Sequence, residues 1–169
     1  RRQRQMCIRD RYEREVQMTK KKIAFIPIDN RPVCYELAQD IAAIDGDIEL
    51  LLPPKWLLGD LKKNSRIDGI YSWVESLNEV DYLVVSLDTI AYGGLIPSRR
   101  SSETLTEIKN RVEKFIDLFK SKNAKILAVS SIMRISNNNI NEEEKEYWSK
   151  YGKKIFKYSW DLSKDGEAQ

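Results

Sequence analysis

The sequence predicts an α/β protein with a Rossmann-like parallel sheet of about four strands and flanking helices, forming part of a larger domain. Four apolar runs of strand length, at residues 22–28, 47–52, 81–87 and 125–130, are continuous rather than alternating, as strands covered on both faces require. Segments of helical period separate them, long enough for crossover connections between parallel strands. The first, third and fourth runs pass at their carboxyl ends into loops bearing Asp29, Asp88 and Arg134. The first half of an α/β barrel has the same local pattern and is the alternative; the open sheet is the preferred reading.

The first run leads to a helix expected to begin near Pro32, since proline is tolerated in a first turn and Gly46 can end the helix. Val33, Leu37, Ile41 and Ile44 then share one side, which is expected to cover the sheet. Pro53 and Pro54 close the second run. A short apolar piece at 56–61 follows, with Trp56 assigned to the core, and then a helix at 68–78. The third run enters Asp88, a Tyr92-Gly93-Gly94 turn and the pair Arg99-Arg100. Ser101 or Ser102 is the expected cap of the clearest helix, in which Leu105, Ile108, Val112, Phe115, Ile116 and Phe119 follow the helical period. Residues 135–141 read as a polar loop. A helix at 142–160 carries Tyr147, Trp148, Tyr151, Ile155 and Phe156, whose rings require a partner surface.

With 169 residues, 41% of them hydrophobic, the chain can bury one sizeable core. Its net charge of +3 arises in residues 1–17, where six Arg meet three carboxylates, and the remainder is balanced at 23 charges of each sign. That balance argues against nucleic acid as a partner. Residues 1–17 have no apolar period and no signal-peptide core. They are read as a non-native leader resembling translated sequencing-adapter sequence of a metagenomic assembly, with Met18 as the start and residues 18–169 as the folded portion. Cys7 and Cys34 form no disulfide framework or metal-ligand spacing, and Cys34 is expected to pack as a small core residue. No run reaches the length of a membrane span, so no membrane partner is expected, and a cytoplasmic location is the default.

The chain contains no His, which removes histidine-based triads, proton shuttles and metal sites from its repertoire. Carboxylates and arginines remain. Asp29 and Asp88 end two strands of one sheet and are the candidate catalytic pair, as acid and base or as ligands of a divalent metal. The alternative uses are capping of the helix entering at Pro32 for Asp29 and bracing of its loop for Asp88. Arg31, Arg99 and Arg134 each follow a strand and suit bidentate binding of an anion, or a surface ion pair. Gly93 and Gly94 permit positive φ and close ligand approach, or simply a tight turn. Tyr92 can donate to a ligand or pack in its loop, and Met133 is read as packing. Neither GxxxxGK[ST] nor GxGxxG is present, so the parts of an ordinary nucleotide site are missing.

The segments FIPIDNRPVCYELAQD, LLPP, SLDTIAYGGLIPSR and IMRISNNN followed by EYWSKYGKKIF resemble the bacterial family called domain of unknown function 4127, over nearly all of residues 22–160. Members usually carry Asp-Glu-Arg-Pro where this chain has Asp29-Asn30-Arg31-Pro32. The resemblance implies a site of Asp29, Arg31, Pro32, Asp88, Tyr92, Gly93, Gly94, Ser98, Arg99 and Arg134. It also implies an amino-terminal portion of a longer protein, partnered by the carboxyl-terminal remainder of its own chain, and it supplies no reaction. The resulting expectation is a hydrolase-like enzyme acting on a small polar or anionic metabolite such as a sugar derivative. A noncatalytic ligand-binding module or a structural half-domain is the alternative.

Overall fold

The structure, a computed structural model, describes the backbone of residues 20–61 and 63–167 and the side chains among them through Lys164. The expected leader at 1–17 lies outside the described residues. In chain order the elements are β1 (Lys21–Ile26), α1 (Glu36–Asp45), β2 (Ile48–Leu51), a 3₁₀ turn (Lys55–Leu57), α2 (Ile67–Ser76), β3 (Tyr82–Ser86), α3 (Leu87–Tyr92), α4 (Leu95–Arg100), α5 (Leu105–Ser121), β4 (Lys125–Val129) and α6 (Trp148–Glu167).

The four strands form one parallel sheet in the order β2-β1-β3-β4, with Phe25 opposite Val84 and Val84 opposite Leu127. A barrel would place the strands in sequence order, so the open Rossmann-like sheet is the architecture. The chain moves outward from β1 to β2, then returns across β1 to β3 and β4. Right-handed crossovers therefore put α1 on one face and α2 and α5 on the other. The reversal makes the carboxyl ends of β1 and β3 the switch point of the sheet, where open α/β folds form their ligand crevice.

One face is covered over β1 and β3. Ala24 and Ile26 of β1 and Leu83 and Val85 of β3 are wholly buried against Ile70 and Val74 of α2 and Phe115 and Phe119 of α5. Tyr71 meets Phe115 edge-on, with centroids 5.4 Å apart and ring planes at 74°, a favoured geometry for aromatic rings. The apolar period of α5 correctly marks this face. Its cap is a correction: Thr104, rather than Ser101 or Ser102, accepts from Glu107 N, and the Glu107 side chain accepts from Thr104 N. This reciprocal capping box satisfies two end donors, which neither serine does.

The opposite face departs from expectation. Val33, Leu37, Ile41 and Ile44 remain 64%, 46%, 60% and 84% exposed, and α1 buries no residue. The helix covers only the β1–β2 side. Between Val33, Leu37 and Ile41 and the strand residues Phe25, Val84 and Val129 an apolar groove of about 400 Å³ stays open. Edge strand β4 is exposed along its whole length. Trp56 is a further correction: it is 64% exposed, with Arg66 5.2 Å from its ring centroid, because Leu57 and Leu58 occupy the core instead. The last helix starts at Trp148 rather than near residue 142, since residues 142–144 engage the two arginines at the end of α4. Trp148 is buried, whereas Tyr147 and Tyr151 are exposed.

Candidate functional site

At the end of β1 the chain folds back through Asp29-Asn30-Arg31. Asp29 is 5% exposed; its Oδ1 accepts from Arg31 N at 3.1 Å and its Oδ2 accepts from Arg31 Nε at 2.7 Å. Arg31 Nη2 also lies 2.7 Å from Oδ2, and the guanidinium side chain is 38% exposed. The hydrogen bond to Asp29 raises the Arg31 pKa despite the opposing cost of burial. Beside them, burial and then the hydrogen bond to Asp29 push the Cys34 thiol up, against the lowering influence of Arg31. Cys34 is half-buried, less enclosed than a core position.

Asp88 lies in the first turn of α3, immediately beyond β3, and is 6% exposed. Its Oδ2 accepts from Ser131 N, beyond β4, at 2.9 Å, while Oδ1 has no hydrogen-bond partner among the described residues. The adjacent Thr89 is fully buried and its hydroxyl lies 2.8 Å from the Pro27 carbonyl and 3.1 Å from that of Ile28. Asp88 and Thr89 thus tie the carboxyl ends of β3, β4 and β1 together. The two candidate carboxylates stand at the switch point, each held by a neighbouring backbone.

Gly93 has φ +87° and Gly94 φ +136°, and together they turn the chain between α3 and α4. The turn packs inward: Ser65 N donates to the Gly93 carbonyl at 2.9 Å, and a Cβ on Gly94 would sit 3.4 Å from the Ile28 carbonyl. The positive φ that this tight turn needs therefore accounts for both glycines. Tyr92 faces a different cavity of about 450 Å³, shared with Asn64, Ser65 and Arg100. Ser98 Oγ donates to the Leu95 carbonyl of its own helix at 2.6 Å.

Arg99 is committed elsewhere. Its Nη1 lies 3.3 Å from Glu143 Oε2, its Nη2 pairs with Glu144 and donates at 3.3 Å to the Arg134 carbonyl, and its side chain is only 13% exposed. Arg100 Nη1 donates to the Glu142 carbonyl at 3.4 Å. Arg134 is exposed and lines a groove against α6 rather than facing Asp29. The expected common rim is accordingly divided: Asp29 and Arg31 after β1, Asp88 after β3, Tyr92 at the α3–α4 cavity, and Arg134 beyond β4, with Arg99 serving as a loop anchor. Sequence reasoning missed Thr89, Ser131 and Glu142 to Glu144. The last had a signal, since three consecutive acids downstream of two consecutive arginines are complementary in charge.

Among the described residues no three His, Cys, Asp or Glu side chains are grouped to hold a metal ion. No described helix is long and apolar enough to cross a membrane.

A doubly wound parallel sheet with buried carboxylates after the two switch-point strands defines an α/β protein of Rossmann-like class. Within it the chain belongs to the family described as protein of unknown function (DUF4127), whose family model matches residues 23–169. Comparisons with curated proteins and with solved structures found no match.

Proposed function

We propose that the crevice at the carboxyl ends of β1 and β3 belongs to an enzyme, hydrolase-like, acting on a small polar or anionic metabolite. The observation that carries this reading is Asp88: a nearly buried carboxylate at the switch point, with one oxygen fixed by Ser131 N and the other left without a partner among the described residues. A carboxylate so oriented suits proton transfer to or from a bound substrate. Arg31, locked by Asp29 yet partly open to solvent, suits charge pairing with a substrate carboxylate or phosphate. Asp29 is a positioning residue in this reading, because both of its oxygens are spent on Arg31.

The same engagement favours a second reading, a noncatalytic binding module in which both aspartates only brace the backbone. A thermal-shift screen of sugar phosphates and sugar acids identifies a ligand through the apparent stability it adds. Asp88→Asn then separates the readings. Proton transfer by Asp88 predicts retained binding with turnover lowered about a hundredfold or more; unchanged turnover removes Asp88 from the chemistry, and a change confined to affinity selects the binding module.

A further inference from the structure

A separate groove lies between the loop after β4 and helix α6. We propose that it binds an anionic sugar, a single pyranose-sized ring bearing a carboxylate or a phosphate. Its volume is about 430 Å³, and Arg134, Asn137, Asn138, Phe156, Ser159 and Trp160 are among its lining residues, with no acidic side chain. The volume is at the small end of the usual range for ligand sites, which fits one ring and its anionic group better than a dinucleotide. The inference does not rest on the role of Asp29 or Asp88.

Each lining group has the chemistry this ligand requires. Unlike Arg31 and Arg99, Arg134 has no partner for its guanidinium among the described residues; only its carbonyl is used, by Arg99. A planar fork of free donors matches a carboxylate or phosphate. Lys164 lies 5.3 Å from the Trp160 ring centroid and adds a second positive charge nearby. Trp160 is 53% exposed, and its other neighbour is Phe156, stacked at 6.3 Å with 17° between the planes. The half-exposed indole, braced by Phe156 and Lys164, borders the groove, and Asn137, Asn138 and Ser159 offer hydrogen bonds to ring hydroxyls.

The loop is held in place before any ligand arrives. Ile140 N donates to Asn138 Oδ1 at 2.9 Å, leaving that amide's NH₂ as donor, and Lys153 N donates to Asn139 Oδ1 at 2.9 Å. Gly152 lets α6 approach the Asn138 carbonyl, where any side chain would collide. Such preorganisation reduces the ordering cost of binding.

The test uses the 169-residue chain labelled with ¹⁵N, titrated with glucuronate, glucose 6-phosphate, glucose and inorganic phosphate, reading the indole N–H signals with Trp160 assigned through Trp160→Phe. The expected result is a saturable shift at Trp160 with either or both sugar anions, with Arg31 and Ser131 amides unmoved; whichever anion binds identifies the charged group. Arg134→Gln should weaken that binding about tenfold or more, the scale of one charge-assisted contact, and glucose should bind correspondingly more weakly. Ser159→Phe, which fills the groove without removing charge, should abolish the shift, and it decides the matter if Arg134→Gln fails to fold. No saturable shift at concentrations up to about 10 mM, the edge of specific affinity, would overturn the proposal. So would equal binding of glucose, equal binding of inorganic phosphate, a shift confined to Arg31 and Ser131, or a folded Arg134→Gln chain that binds unchanged.

Discussion

Thr89 illustrates how one side chain can organise the ends of two strands. Its hydroxyl is completely buried and directed at the Pro27 and Ile28 carbonyls, 62 and 61 residues away in sequence. Thr89→Val keeps the shape but leaves those carbonyls without their partner, and the expected cost is about 1–3 kcal/mol. Thr89→Ser, which keeps the hydroxyl, should cost less. In urea melts the valine variant should lose midpoint without a change in slope; equal midpoints for the parent and Thr89→Val would show that the hydroxyl does not secure the rim. This residue was not legible in the sequence because a threonine following a strand has no distinguishing pattern. Asp29 and Asp88 were legible as rim residues, since each directly follows an apolar run. The arginines were harder to place, because a guanidinium reaches far enough for its partner to be decided by the fold.

At the scale of elements, α5 was readable because 17 residues of amphipathic period span several turns. Helices α3 and α4 were not, since each has six residues and the Gly93-Gly94 turn interrupts them. The start of α5 also carries a pH prediction. Arg111 Nη1 donates to Glu103 Oε2 at 3.1 Å and to the Ala91 carbonyl, joining α5 to the end of α3. The hydrogen bond from Arg111 holds the Glu103 pKa below the ordinary value of 4.5, outweighing partial burial. A depressed folded-state pKa contributes stability that is present above 4.5 and is lost as pH falls through the lower folded value. Arg111 is shifted upward by the same contact, so its own contribution is lost only in strong alkali. The stability advantage of the parent over Glu103→Gln should therefore be measurable near neutral pH and shrink on acidification below the ordinary Glu range. An advantage independent of pH in paired urea melts would show that the ion pair is not its source.

For the whole molecule, the sequence specifies parallel strands but not their order, because four similar apolar runs do not encode which neighbours pair. The observed order leaves one face covered only at the β1–β2 side. Val33 before α1, Ile41 and Ile44 on α1, and Leu127 and Val129 on β4 are all more than half exposed, and β4 presents an edge with no pairing strand among the described residues. Scattered exposed apolar residues are ordinary on a protein surface, but a continuous apolar groove next to a free strand edge favours association. The 169-residue chain should bind a hydrophobic dye and show mass that rises with concentration by light scattering, from about micromolar levels upward. Ile41→Glu places a charge on the groove wall, and Leu127→Lys places one on the edge strand. Each should lower dye binding and shift the mass toward monomer while leaving the α2/α5 core intact. A parent chain that stays monomeric and dye-free across that range, with cooperative unfolding, would show that this face closes on itself in solution.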